Sequence, residues 1–129
     1  MAKVPLISVV DDDESVRESL DGLFRSMGFA VKVFASAEEF LSLDHLRDMD
    51  CLLLDVRLPG MNGIELHHHL GASRCEVPVI FITAHGSEVG VRAEAFRNGA
   101  VDFLTKPLSE DTLLDAVQRA LSSKRHAQG

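Results

Sequence analysis

Five short apolar runs punctuate the chain, each followed by a more polar segment with helical spacing. The runs are Leu6 to Val10, Ala30 to Phe34, Cys51 to Leu54, Val79 to Thr83 and Val101 to Leu104. A strand with one wet face alternates apolar and polar residues. Runs that stay apolar predict strands covered on both faces, as in a parallel sheet. Between the first two runs, Val16, Leu20, Leu23, Phe24 and Met27 recur at i, i+4, i+7, i+8 and i+11, a single helical stripe, and Gly28 stops it. Ser36, with Glu39 three residues on, predicts a capping box at a second helix. A third helix is expected from near Asn62, a fourth from near Ser87 to Asn98-Gly99, and a fifth from Ser109. The stripe of the fifth is Leu113, Leu114, Val117, Ala120 and Leu121.

The order is strand-helix repeated five times. It predicts an α/β domain, a (βα)5 doubly wound parallel sheet with helices on both faces and right-handed crossovers. A length of 129 residues suits one domain, 1–129. Its core is expected over about residues 5–122, with 123–129 a polar tail that frays or begins a linker.

Charge and composition narrow the function. A formal net charge of −7 argues against direct binding of nucleic acid through its phosphates. No apolar stretch reaches the roughly 18 residues that a membrane span needs. Cys51 and Cys75 sit beside apolar runs and read as reduced, partly buried thiols instead of a disulfide framework. The N-terminal Met-Ala-Lys-Val-Pro lacks a long apolar signal region. The expectation is a cytoplasmic protein in a reducing compartment.

In parallel α/β sheets, ligands sit outside the carboxyl ends of the strands. The first run is followed there by Asp11, Asp12 and Asp13, and the third by Asp55. The fourth ends in Thr83, with Ala84 next, and the fifth is followed by Lys106 and Pro107. Clustered carboxylates repel one another, and a divalent cation relieves that. An all-oxygen set favours Mg²⁺. Asp55 is then placed to attack a phosphoryl group and form an aspartyl phosphate, a reaction that is mostly positioning and charge neutralisation. Lys106 would neutralise one side of the group, and the Thr83 hydroxyl would meet a third oxygen. Each residue alone has an ordinary role. An acidic run suits a helix N-terminus, a threonine caps a strand, and a lysine or an aspartate rests in a solvated loop. Their convergence on one sheet edge favours a site. His67, His68 and His69 are not read as a metal tract, because successive helical residues point about 100° apart. His67 shares a face with Ile64 and Leu70 and should be packed, with the other two solvated.

The motifs that carry a resemblance are Val9-Val10-Asp11-Asp12, then Leu54-Asp55 with Leu58-Pro59-Gly60-Met61-Asn62-Gly63, then Ile82-Thr83-Ala84, then Gly99 through Pro107. Over about Leu6 to Leu121 the chain resembles the receiver domain of two-component response regulators, the CheY-like family. The last motif is most similar to transcriptional regulators of the FixJ type. The resemblance implies the flavodoxin-like strand order 2-1-3-4-5. It implies that Asp55 is the phosphoacceptor, that Asp12 binds Mg²⁺ directly and Asp11 through water, and that Arg57 offers its backbone carbonyl. It implies that Lys106 and the Ala84 backbone hold phosphoryl oxygens, that the Lys106-Pro107 bond is cis, and that Thr83 and Phe103 form a switch pair in which Phe103 turns inward. Asp13 heads the first helix. Arg57 and His85, flanking the site, are expected to set how long the phosphoryl group survives. The interval from Thr83 to Lys106 is one residue longer than the family pattern, which shifts the register of the fourth helix within Gly86 to Asn98.

The implied partners are a sensor histidine kinase, a DNA-binding effector domain outside this segment, and a second copy in a phosphorylation-dependent homodimer. The implied role is a switch with self-phosphorylation and autodephosphorylation only, and not an enzyme. A Mg²⁺-dependent phosphohydrolase would want a general acid two residues after its aspartyl nucleophile, where Arg57 stands. A flavin binder would want a phosphate-cradling loop after the first strand, where three aspartates stand. A receiver fold that no longer takes phosphate would have no need of Asp55, Thr83 and Lys106 together.

Overall fold

The computed structural model describes residues 4–42, 48–73, 76–84 and 89–128, and only the backbone of 89 and 123–128. Strands and helices alternate throughout: β1 (Leu6–Val10), α1 (Glu14–Ser26), β2 (Ala30–Phe34), α2 (Ala37–Leu41), β3 (Cys51–Asp55), α3 (Gly63–Ala72), β4 (Val79–Thr83), α4 (Val89–Arg97), β5 (Asp102–Thr105) and α5 (Glu110–Gln128). The strands are all parallel, in the order β2-β1-β3-β4-β5. β3 and β4 are buried at every residue. The edge strands β2 and β5 carry the exposed positions.

Side chains that alternate along each strand feed two cores, one per face of the sheet. One packs Val10, Phe34, Leu52, Leu54, Phe81 and Phe103 against Phe40 of α2, Leu66 and Leu70 of α3 and Ala95 of α4. The other packs Ile7, Val9, Leu53, Ile80 and Ile82 against Leu20 and Phe24 of α1 and against Leu113, Ala116, Val117 and Ala120 of α5. Each large side chain removed from water this way contributes about 1.5–3 kcal/mol. That holds the strand tips in fixed register.

The helix ends follow local chemistry. Asp13 caps α1 by accepting from the Ser15 N–H at 2.9 Å. Gly28, at φ 90°, takes the left-handed turn after that helix, which a side chain would resist. Ser36 caps α2 as expected, accepting from the Glu39 N–H. Glu39 reaches back to the Ala35 N–H, one residue earlier than a standard box. Asn62 and Glu65 form a full reciprocal box at α3. The backbone of α5 runs helically to Gln128. No glycine or proline interrupts it before Gly129. The last strand lies one residue later than the apolar run suggested, and Asp55 belongs to β3 itself. The expected helix start near Ser87, and the roles expected of His85 and Cys75, fall outside the described residues. Cys51 is buried. Among the described residues, no helix is long and apolar enough to cross a membrane.

Candidate functional site

Strand register brings the acidic residues together. Val10 of β1 pairs with Leu54 of β3, so Asp11 and Asp55, each the next residue, continue side by side. Asp55 pairs with Ile82 of β4, and Thr83 lies one step further along the same edge. Thr83 in turn pairs with Thr105 of β5, the residue before Lys106. The Lys106 N–H donates to the Thr83 carbonyl at 2.8 Å, tying the exit of β5 to the tip of β4. The Lys106-Pro107 bond is cis.

The side chains converge as the register requires. Asp11, Asp12 and Asp55 can each offer one oxygen, all within 4.8 Å of one another. The Lys106 ammonium lies 2.9 Å from Asp11 Oδ2 and 3.2 Å from Asp55 Oδ2. Asp11 and Asp55 are buried, and Asp12 is exposed toward solvent. Asp55 Oδ1 accepts from the Arg57 N–H, and Asp11 Oδ1 from the Asp13 N–H, both at 2.9 Å. Asp11 Oδ2 is fully buried and accepts no aligned hydrogen bond. The Lys106 ammonium pairs with it at 2.9 Å.

Burial pushes the Asp55 carboxyl up. The Arg57 N–H pulls it back, Asp11 pushes it further up, Lys106 pulls it down, and the net shift is upward. Burial pulls Lys106 down, but its pairing with Asp11 and Asp55 outweighs this and the net shift is also upward. A buried carboxylate whose pKa is raised beside a cation marks a candidate functional site.

Other predicted residues take definite places. Thr83 is fully buried at the end of β4, and Ala84 is exposed beyond it. The Arg57 side chain is exposed. Phe103 is already buried, its ring centroid 6.2 Å from that of Phe81. The Arg92 guanidinium lies 5.8 Å from its centroid and donates to its carbonyl. His67 packs edge-on against Phe81, as expected, and burial holds its pKa down. His68 and His69 are exposed, and His68 meets Glu94 of α4. An apolar-lined cleft of about 360 Å³ opens beside Lys106, between α1 and the start of α5.

Two contributors escaped the sequence reading. A Cβ at Gly63 would stand 2.2 Å from the Asp55 carbonyl oxygen, so only glycine lets α3 lie flush on the backbone at Asp55. A glycine at the first helical position after an asparagine cap was the available signal. The second is Arg17, whose side chain donates to the Asp11 carbonyl at 2.9 Å. Nothing in the α1 stripe marks it.

Comparison with known proteins agrees with this geometry. The response regulator receiver domain profile matches residues 7–118. The chain belongs to the response regulator receiver domain family. Phosphorylation on an aspartate is general to that family, whose members are not classical enzymes. Nodulation protein W of Bradyrhizobium diazoefficiens is 44% identical over 120 residues, 93% of this chain and 52% of that protein. The transcriptional regulatory protein FixJ of Rhizobium meliloti is 41% identical over 114 residues, 88% of this chain and 55% of that one. A solved structure of the response regulator StyR superposes with a TM-score of 0.88 at 44% identity, covering 98% of this chain and 65% of that one. This receiver domain thus spans about half the length of the curated relatives it matches. Membership sets aside the phosphohydrolase and flavin-binding readings of the same scaffold.

Proposed function

We propose that this receiver domain accepts a phosphoryl group on Asp55 from the phosphohistidine of a sensor kinase. The phosphorus–nitrogen bond breaks as a phosphorus–oxygen bond to Asp55 forms, and the imidazole leaves with the electron pair. The observation that carries this is the single ammonium shared by two buried carboxylates at 2.9 and 3.2 Å, with a third carboxylate in reach.

The donor set fits a hard divalent cation. It is all oxygen, it is short of positive charge, and it includes the buried Asp11 Oδ2 without an aligned hydrogen bond. Asp12, Asp55 and the Arg57 carbonyl would hold Mg²⁺, with Asp11 behind them through water. When bound, Mg²⁺ supplies positive charge to the phosphoryl oxygens. Lys106 turns from the carboxylates to one phosphoryl oxygen, and the Thr83 hydroxyl and Ala84 N–H take the others. Small phosphodonors serve the same chemistry, so self-phosphorylation and autodephosphorylation belong to this domain.

The added charge biases an existing pair of conformations. Thr83 is drawn toward the phosphoryl group. Phe103 starts from a buried place, so its part is repacking against Phe81 beneath Arg92, not a passage from solvent. The repacked α4–β5–α5 surface then supports homodimerisation or release of a DNA-binding effector domain outside this segment. The output is control of transcription in the cytoplasm. In support, FixJ, a 41% identical relative, is a transcriptional regulatory protein.

Incubation with a small acyl phosphate and Mg²⁺ should add one phosphate to the intact mass. Asp55→Asn, or removal of the metal with a chelator, should prevent it. Equal phosphate uptake by Asp55→Asn would dismiss the reading.

A further inference from the structure

Arg17 holds both carbonyls that flank the acidic loop. Its backbone N–H donates to the Asp13 carbonyl at 3.1 Å, and its half-buried guanidinium reaches back to the Asp11 carbonyl at 2.9 Å. The rest of the loop is pinned from other directions. The Asp11 N–H donates to the Phe34 carbonyl at 3.1 Å, the Asp13 N–H to Asp11 Oδ1 and the Ser15 N–H to Asp13 Oδ1. The Asp11–Asp12 peptide is planar, so fixing its oxygen fixes the plane that carries the Asp12 nitrogen and Cα. Asp12 is exposed and makes no contact with Lys106 that would steer it in its place. The two cations therefore divide the work. Lys106 sits on the side-chain oxygens and can move, whereas Arg17 leaves those oxygens free and grips the backbone behind them.

We propose that Arg17 is a positioning residue that aims the Asp11 and Asp12 carboxylates at the divalent cation, by clamping the peptide between them. The inference rests on the phosphoacceptor reading above. Groups that orient metal ligands from behind, when removed, cost about 10- to 100-fold in metal affinity. A planar donor fork suits a carbonyl held at fixed angle, and an ammonium does not reproduce it.

The test is a Mg²⁺ titration of the purified chain, followed through the backbone amide shifts of Asp12 and Asp13, with thermal unfolding of the metal-free protein measured alongside. Arg17→Met should weaken Mg²⁺ binding about tenfold or more. Arg17→Gln, which keeps an amide donor without the charge, should recover a substantial part, and Arg17→Lys should recover less than Gln. The metal-free unfolding temperature should not follow that ranking. Affinity within twofold of wild type in Arg17→Met would overturn the proposal. So would Gln as weak as Met with Lys near wild type, since charge alone would then account for the effect. A wild-type chain that binds no Mg²⁺ at all would remove the phosphoacceptor reading and this inference together. Normal wild-type binding with an indifferent Met variant removes only the inference.

Discussion

Two clusters in this domain set one cation between two carboxylates, and they behave differently. At the strand tips Lys106 lies between Asp11 and Asp55, with side-chain exposures of 19%, 0% and 6%. On the outer face of β5 and α5, Arg119 pairs with Asp102 and Asp115, with exposures of 50%, 17% and 69%. The charges are alike, but the solvent is not. Water and salt screen the outer cluster, where Arg119 and Asp115 are exposed and Asp102 is partly so. At the tips no such relief exists, so one ammonium must serve two buried acids and leaves Asp55 shifted upward. Buried charge left partly uncompensated is what a phosphoryl group with its cation would complete. Exposed charge already satisfied by water gives no such opening.

The largest contrast should come from Lys106→Met. Losing the ammonium in contact with both buried acids should destabilise the fold by about 3 kcal/mol at neutral pH, whereas Arg119→Ala should not. Denaturant unfolding at pH 7 and pH 4 measures it, and part of the loss should return in acid as the stranded carboxylates take up protons. Next is Gly63→Ala. The new Cβ at 2.2 Å from the Asp55 carbonyl must push α3 or the β3 tip aside. Overpacking of this kind costs about 1–3 kcal/mol. The rate of acyl-phosphate labelling should fall with it, while Gly71→Ala, where a Cβ meets nothing within 4 Å, should leave labelling unchanged.

A smaller effect follows from the raised Asp55 pKa. A carboxyl that holds its proton more tightly when folded adds stability that is complete below its unfolded pKa and is lost as pH rises through the folded one. Metal-free wild type should therefore lose stability as pH climbs out of the acid range. Asp55→Asn should flatten that decline and raise the neutral-pH unfolding temperature by a few degrees. A steeper decline in Asp55→Asn would contradict the sign. The smallest effect is Arg119→Ala: a loss of about 0.2–1 kcal/mol, reduced by added salt, with labelling of Asp55 untouched.

What could be read before the fold was known divides along a physical line. Continuous apolar runs report burial on two faces, so the five strands and the two-sided sheet were legible. So were caps that act within a few residues, such as Asp13 and Ser36, and the gathering of Asp11, Asp55, Thr83 and Lys106 on one edge. Strand order and the cis bond before Pro107 came through family resemblance, not from periodicity. Contacts that depend on where two backbones finally lie were not legible. The glycine after the Asn62 cap hints at a close approach but not at Asp55, and the backward reach of Arg17 and the covering of Phe103 by Arg92 have no local pattern to announce them.

The central claim is that one carboxylate, at position 55, takes the phosphoryl group. Its most direct measurement is to label the wild-type chain with an acyl phosphate and Mg²⁺, reduce the acyl phosphate with borohydride, and map the resulting homoserine by fragment mass. The account predicts conversion at residue 55 and at no other aspartate. Conversion at Asp11, Asp12 or Asp13, or labelled protein with residue 55 intact, would contradict it.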